Sequence, residues 1–588
     1  MKRTAFWIII SCLAIAVLVG TCLGLAGCKN NDSSAPIKTE AAVYLAEIEA
    51  AETRAGQVPV LSMSSWFAVS GGGLDERTEL FSITFDNPNG TPSLMHIDMP
   101  EPFDDLYYVD GAFIQETVDS ANGDHICVTV GPEEEYREVL DVIQGKISDE
   151  MVDVTPENYS VSKAKVETHT EYTIVIRNLG DQVGKWLGKD AKRALDELLN
   201  RGNVTMDDEL KLVVKTKSGK VTQQVVTMGM TIQRIPVVFS TGIDIYESPQ
   251  VYVPQTVLRF ARGVTPEDDP VDSASLLQGV STQEDPFWRG YYKRKEGVTI
   301  YEYAYGTGNV DKDYIIKCDG YSIQYQHATS QQPTAKMTFK KYVRTAGLGC
   351  GLVSVKDFET GDYYEVYSLA TQSRLLATYG TPVVADQNHI FVAFHDKDHK
   401  EEIWAYDRST MEPTKICTID SLPDTAIDPS SGTLLISWYR DQTMLYKGID
   451  LTTLAEKWQG SSDRLFCGNG WMIDDGYFQA YWGLRISSTD GTISTYTPSG
   501  ELATLLGTMR FNRIVARVGD CVIVETAMPN DDDKGTDQLI YRVGDDHWIG
   551  TLPTLNNCVL LDDHTLLAQL GRVYLIEVGE PGYAPPIG

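Results

Sequence analysis

The C-terminal part of the chain repeats. Short apolar runs, β-branched or aromatic, begin at Cys350 (CGLVSV), Ile390 (IFVAF), Leu434 (LLISW), Tyr477 (YFQAY), Cys521 (CVIVET) and Leu566 (LLAQL), so successive starts lie 40, 44, 43, 44 and 45 residues apart. After most of them a polar turn leads into a second strand pattern, as in EIWAYDRST and LIYRVGDDHW. Several then turn into a third, as in AYDRSTMEPTKICTID and GIDLTTLAEKWQG. A small antiparallel sheet cannot bury both of its apolar faces alone, and stacking on the next copy solves this. Four-stranded units at this period predict β-propeller blades, and a run of six implies closure into a ring. A β-sandwich array is the structural alternative.

The strand, turn and Asp-x-x-Thr pattern of these units resembles the blades of the pyrroloquinoline-quinone-type and WD-repeat propellers. No unit carries the full Gly-His…Trp-Asp signature. Upstream, SSWFAVSGGGLDERTELFSITFD and GAFIQETVDSANGDHICVTVG each pair two alternating strands across a turn, and their starts at Trp66 and Phe113 are 47 residues apart. Counted as blades, they raise the ring from six to eight, the number favoured here.

Between them the pattern breaks. PEEEYREVLDVIQG, with Pro132 at its start and Gly145 at its end, predicts an amphipathic helix, as does WLGKDAKRALDELLNRG with its Leu187, Leu195, Leu198 and Leu199 stripe. ELKLVVKTKSGKVTQQVVTM predicts a hairpin turning at Ser218-Gly219. The expected architecture is therefore mainly β, a propeller of six to eight blades interrupted by an α+β insertion. The expected segments are N-terminal blades at 59–131, the insertion at 132–240, a Tyr-rich segment of open membership at 241–345, six repeats at 346–580 and a tail at 581–588. GVTIYEYAYGTGNVDKDYIIKCDG, inside the Tyr-rich segment, also has the pattern of a blade hairpin.

The N-terminus addresses location. Lys2 and Arg3 precede a long apolar stretch that ends in Leu25-Ala26-Gly27-Cys28, the layout of a secretion signal. These four residues resemble the lipobox of bacterial lipoproteins. That resemblance implies a diacylglyceryl group on the Cys28 sulfur, cleavage before Cys28 and removal of residues 1–27. More than one acyl chain on a single cysteine gives lasting anchorage in a bilayer, and KNNDSSAPIKTE then serves as a tether, with a short helix before residue 58. The stretch could alternatively span the membrane uncut. Either way the folded body is expected on the extracytoplasmic face of the cell membrane.

With 50 basic and 82 acidic residues the formal charge is −32. Such a surface repels phosphate backbones, which argues against nucleic acid as a partner. Seven cysteines remain beyond Cys28, widely separated and mostly inside apolar runs. The absence of any Cys-x-x-Cys pair removes zinc ribbons and thioredoxin-type motifs, and buried free thiols are the favoured reading.

TIYEYAYG places Tyr301, Tyr303 and Tyr305 on one face of a strand. Such a row, if exposed, can stack on sugars or on an apolar partner. HDKDHKEE, residues 395–402, sits between two strands, and a solvated loop is expected rather than a metal site because its histidines need not point together there. PNDDDKGTDQ, residues 529–538, carries Lys534 where a calcium loop needs an oxygen ligand, so a charged hairpin tip is expected. GLGCG at 347–351 is followed by strand residues, which makes it a turn entering a blade rather than a dinucleotide loop.

No catalytic residue, cofactor or metal is assigned. The leading expectation is a non-enzymatic lipoprotein that binds a protein or glycan through a propeller face, similar in architecture to propeller lipoproteins that scaffold envelope assembly. The alternative is a propeller enzyme, carbohydrate-active or a quinone-dependent dehydrogenase. The latter usually needs a vicinal cysteine pair, and none occurs in the sequence.

Overall fold

The computed structural model describes residues 40–579 except 72–73, 89–91, 101–103, 119–124, 131–158, 178–203, 233, 284–288, 304–306, 311–313, 328–333, 358–362, 468–469, 528–536, 553–554, 556 and 571. The chain divides into two compact units, Met1–Ala261 and Arg262–Gly588.

In the first unit eleven strands form one antiparallel sheet. Its centre is the pair Val60–Gly71 and Ile235–Glu247. One wing runs outward through Leu74–Asp86, Leu94–Asp98, Leu106–Val109, Ala112–Val118 and His125–Thr129. The other runs through Lys220–Ile232, Val204–Lys217, His169–Arg177 and Tyr159–Val166. Strict alternation puts apolar residues in register across strands. Met63 lies opposite Ile83, which lies opposite Ile97, while Val226 lies opposite Leu212, which lies opposite Ile174. The helix Glu40–Ala55 packs on the second wing through Ile48 and Ala51. The helix Gln255–Arg262 packs through Val257 on Tyr107, Val109 and Ile114 of the first. The expected hairpin at Ser218-Gly219 is present, with Lys217 opposite Lys220 and both turn residues at positive φ.

This sheet corrects two expectations. The hairpins at Trp66 and Phe113 are not blades but parts of one wing of the sheet, and the strands read as an insertion at 132–240 belong to the same sheet. Period-two alternation is common to a meander and to a blade, so it could not separate them. The two helices expected at 132–145 and 186–202 lie outside the described residues.

The second unit is a seven-bladed β-propeller, not the eight-bladed ring favoured from sequence. Five four-stranded sheets follow one another in chain order: blade 2 from Val343 to Thr378, blade 3 from Thr381 to Ile419, blade 4 from Asp424 to Ser462, blade 5 from Met472 to Thr495 and blade 6 from Arg510 to Leu552. Blade 1 contains Thr307–Val310, Tyr314–Cys318, Ser322–His327 and Thr334–Phe339, with Leu277–Gln283 added at its edge. Blade 7 takes three strands from the C-terminus, Asn557–Asp562, Thr565–Leu570 and Arg572–Val578. Its fourth, Val298–Tyr303, comes from upstream of blade 1, and Arg289–Lys295 pairs beyond it. This exchange closes the ring. It also splits the presumed hairpin GVTIYEYAYGTGNVDKDYIIKCDG, whose first strand ends blade 7 and whose others open blade 1.

The six sequence runs are the second strands of blades 2 to 7, and those of blades 3 and 4 are deeply buried: Ile390 to Phe394 and Leu434 to Ile436 are at most 2% exposed. The Asp-x-x-Thr turns connect third to outer strands. Asp407 Oδ1 accepts from the amides of Ser409 and Thr410 at 2.8 and 3.0 Å, and Asp450 Oδ1 from those of Thr452 and Thr453 at 3.0 and 2.9 Å. The Ser409 hydroxyl and these amides hold the Asp407 carboxyl down to about 2. Each aspartate thereby ties down amides that the turn leaves unpaired.

Candidate functional site

In a four-stranded antiparallel blade the segment leading into the inner strand and the turn between the second and third strands lie at the same end. One face of the ring therefore collects both sets of loops. Eleven large apolar side chains are exposed among the described residues of the propeller, and six lie on this face: Tyr321, Tyr342, Leu422, Tyr439, Phe466 and Trp482. Scattered single exposures are ordinary, so the informative places are those where several such side chains touch.

The densest part surrounds blade 5. Phe466 lies in the segment entering its inner strand, and Tyr481 and Trp482 form the turn between its second and third strands. The amide of Tyr481 donates to Phe466 O at 2.8 Å, fixing the two loops together. The Phe466 ring stacks beside Trp482, centroids 6.0 Å apart and planes 24° apart, and stands 5.5 Å from Tyr481. Two arginines back this platform. The exposed Arg510 lies 5.5 Å over Trp482, and the buried Arg513 lies 4.6 Å over Tyr481. Both Phe466 and Trp482 remain about half-exposed, at 44% and 45%.

Trp482 sits at φ 59, ψ 30, a left-handed conformation that costs a non-glycine residue on the order of 1 kcal/mol or more. The following Gly483, at φ 72, is required there, because a Cβ would lie 2.7 Å from Tyr496 O. The amide of Tyr496 donates to Gly483 O at 2.7 Å. The surrounding backbone therefore imposes the turn that carries the indole outward.

The residues expected to bind are placed differently. Tyr301 is 3% exposed, packed with Ile315, Leu567, Val573 and Leu575. Tyr303 pairs in the ladder opposite Val573, and Tyr305 lies outside the described residues, as do Cys28 and most of the 529–538 segment. GLGCG is the turn between the inner and second strands of blade 2, with Gly349, Cys350 and Gly351 all at positive φ. The cysteines from Cys127 to Cys558 are free thiols, and burial pushes those of Cys467 and Cys521 up to about 12.

Within the first unit, a cleft of about 450 Å³ lies between the helix Glu40–Ala55 and the sheet. Its charged walls are already engaged: Glu47 accepts from Lys163 at 2.5 Å and from Tyr172 at 2.8 Å, and Arg54 donates to Gly219 O at 2.7 Å. Among the described residues no helix is long and apolar enough to cross a membrane.

No protein-family model matches the chain, and no curated protein matches it in sequence. Solved structures do resemble it. BamB from Moraxella catarrhalis is 12% identical, over 50% of this chain and all of that one, with a TM-score of 0.27. The β-propeller domain of the Trilobed protease from Pyrococcus furiosus is 11% identical, over 50% of this chain and 84% of that one, with a TM-score of 0.27. Hsv2 from Kluyveromyces lactis is 9% identical, over 44% and 87%, with a TM-score of 0.29. These are likenesses of fold, and the propeller assignment rests on the strand pairings described above.

Proposed function

We propose that the chain is an extracytoplasmic lipoprotein, anchored to the cell membrane through acylated Cys28, that acts without catalysis by holding a protein partner on the loop face of its propeller. The observation that carries this reading is the platform of Phe466, Tyr481 and Trp482 with Arg510. Aromatic residues and arginine are the types that dominate binding energy at protein interfaces, because they bury much area at small entropic cost. A strained backbone turn that presents a tryptophan to solvent gives no stability in return, which fits a contact role. Of the inner-strand carboxylates, Asp474 pairs through Oδ1 with Arg517 at 2.7 Å, and Asp428 accepts through Oδ1 from the Ser430 hydroxyl at 2.6 Å. The inner strands also present Ile473 and Leu560 to solvent, which suits binding better than hydrolysis.

The test is co-purification from the native envelope. Wild type should retain a protein partner that Phe466→Ala/Trp482→Ala loses, with folding unchanged by circular dichroism. Equal recovery by both would refute the face. Mass spectrometry of the mature N-terminus reads the anchor separately: an acylated Cys28 is expected, and an unprocessed Met1 would overturn it.

A further inference from the structure

The turn between the second and third strands of blade 3 runs from His395 to Glu401, on the same face as the aromatic platform. Its histidines, which in a loop need not point together, converge. His395 Nε2 lies 3.3 Å from His399 Nδ1. Two imidazole nitrogens, each about 2.0–2.1 Å from one tetrahedral cation, stand about 3.3–3.4 Å apart. The separation is thus the one a shared ion requires.

The far side of His395 is also arranged for ligation. Its Nδ1 lies 2.9 Å from Glu401 Oε1, and these side chains are only 18% and 15% exposed. A carboxylate on one ring nitrogen fixes the tautomer whose lone pair projects from the other, the usual support of a metal-bound histidine.

The backbone holds this arrangement in place. Asp396 Oδ1 accepts from the amides of Asp398 and Lys400 at 2.8 and 2.9 Å, and His399 is set at φ 58. From outside the turn, the Val264 amide donates to His395 O at 2.8 Å. A Cβ on Gly263 would lie 2.4 Å from Lys397 N.

We propose that His395 and His399 form a two-histidine site for a divalent cation of the zinc class, ligated through Nε2 and Nδ1, with Glu401 orienting His395. Among the described residues no set of three histidine, cysteine or carboxylate groups surrounds one ion. The remaining coordination positions are therefore open to water or to an incoming imidazole or carboxylate. The site stands on its own geometry and does not depend on the partner-binding reading.

The test uses the purified full chain, stripped with chelator and titrated with Zn²⁺ by calorimetry and with Cu²⁺ by electron paramagnetic resonance. Expected are one equivalent at the site and a two-nitrogen superhyperfine pattern, both lost in His395→Ala/His399→Ala. Glu401→Gln should keep the stoichiometry and weaken affinity about 10- to 100-fold. His547→Ala, remote in blade 6, should change neither. Matching unfolding midpoints in chelator establish that the variants fold. Zn²⁺ binding by the double variant equal to wild type, or no binding by wild type, would overturn the site, leaving an imidazole–imidazole hydrogen bond only.

Discussion

Arg513 and Glu525 face each other across the inner and second strands of blade 6 as an ion pair, Nε to Oε2 3.0 Å, with each side chain only 1% exposed. Arg513 Nη1 also donates to Cys467 O at 3.3 Å and Gly470 O at 2.7 Å, in the segment that carries Phe466. Gln538 extends the row, donating to Leu555 O at 3.1 Å and accepting from the Leu555 amide at 2.9 Å. One buried charge therefore ties blade 5 to blade 6. Arg513→Met strands Glu525 without a counter-charge and should cost about 3–5 kcal/mol, read as a lower urea midpoint. Arg513→Met/Glu525→Leu should recover most of that loss. Equal destabilisation by the single and double variants would show that the carbonyl contacts, not the ion pair, hold the seam.

The segment between Arg262 and Leu276 leads into the propeller across blades 2 and 3. Asp269 pins it, accepting from Tyr406 Oη at 2.5 Å and from the Tyr379 amide at 3.0 Å. Burial pushes the Asp269 carboxyl up to about 6 from an ordinary 3.8. The folded state thus favours the protonated form. Its contribution is complete below about pH 4 and declines as pH rises through about 6, by at most about 3 kcal/mol. Asp269→Asn keeps the shape and removes the charge. Its melting temperature relative to wild type should rise between pH 4 and pH 7, and a difference independent of pH would contradict this account.

Ring closure gives a third expectation. Tyr301 belongs to Val298–Tyr303, the strand that completes blade 7, and sits opposite Leu575. Tyr301→Ala removes a buried aromatic at the junction of blades 7 and 1, and should cost about 3–5 kcal/mol. Because strands from upstream of blade 1 complete the sheet of the C-terminal three, the unfolding midpoint should fall for the whole propeller together rather than for one blade. Melting of blade 7 alone, seen as selective amide exchange in 557–578, would refute that coupling.

The legible part of this fold was the part with a local signal. Six second strands announce themselves because each must be apolar on both faces, packed between neighbouring blades. Blade 1 was hidden because its strands adjoin the exchanged closing strand, so the chain order there does not follow the blades. Trp66 and Phe113 misled because a meander and a blade share one alternation. The aromatic platform left no pattern at all: Phe466 and Trp482 come from two loops of blade 5 and Arg510 from the start of the inner strand of blade 6, and only the packing of the two neighbouring blades brings them together. The tyrosine row failed for a related reason. Alternation says which side chains share a face, but not whether that face is covered, and Tyr301 lies against blade 1.

Trp482 separates stability from binding. Its left-handed backbone suits glycine, which adopts that conformation without steric cost. The indole is exposed, so little burial is lost on truncation. Trp482→Gly should therefore leave the melting temperature unchanged or raise it by the equivalent of about 1 kcal/mol, while weakening retention of the envelope partner at least tenfold. Gly483→Ala, forced against Tyr496 O, should instead lower stability. Retention should then fall only as far as the fraction unfolded dictates. If Trp482→Gly lowered the melting temperature and left partner retention intact, the indole would be a packing element of blade 5, and the contact role would pass to another part of the face.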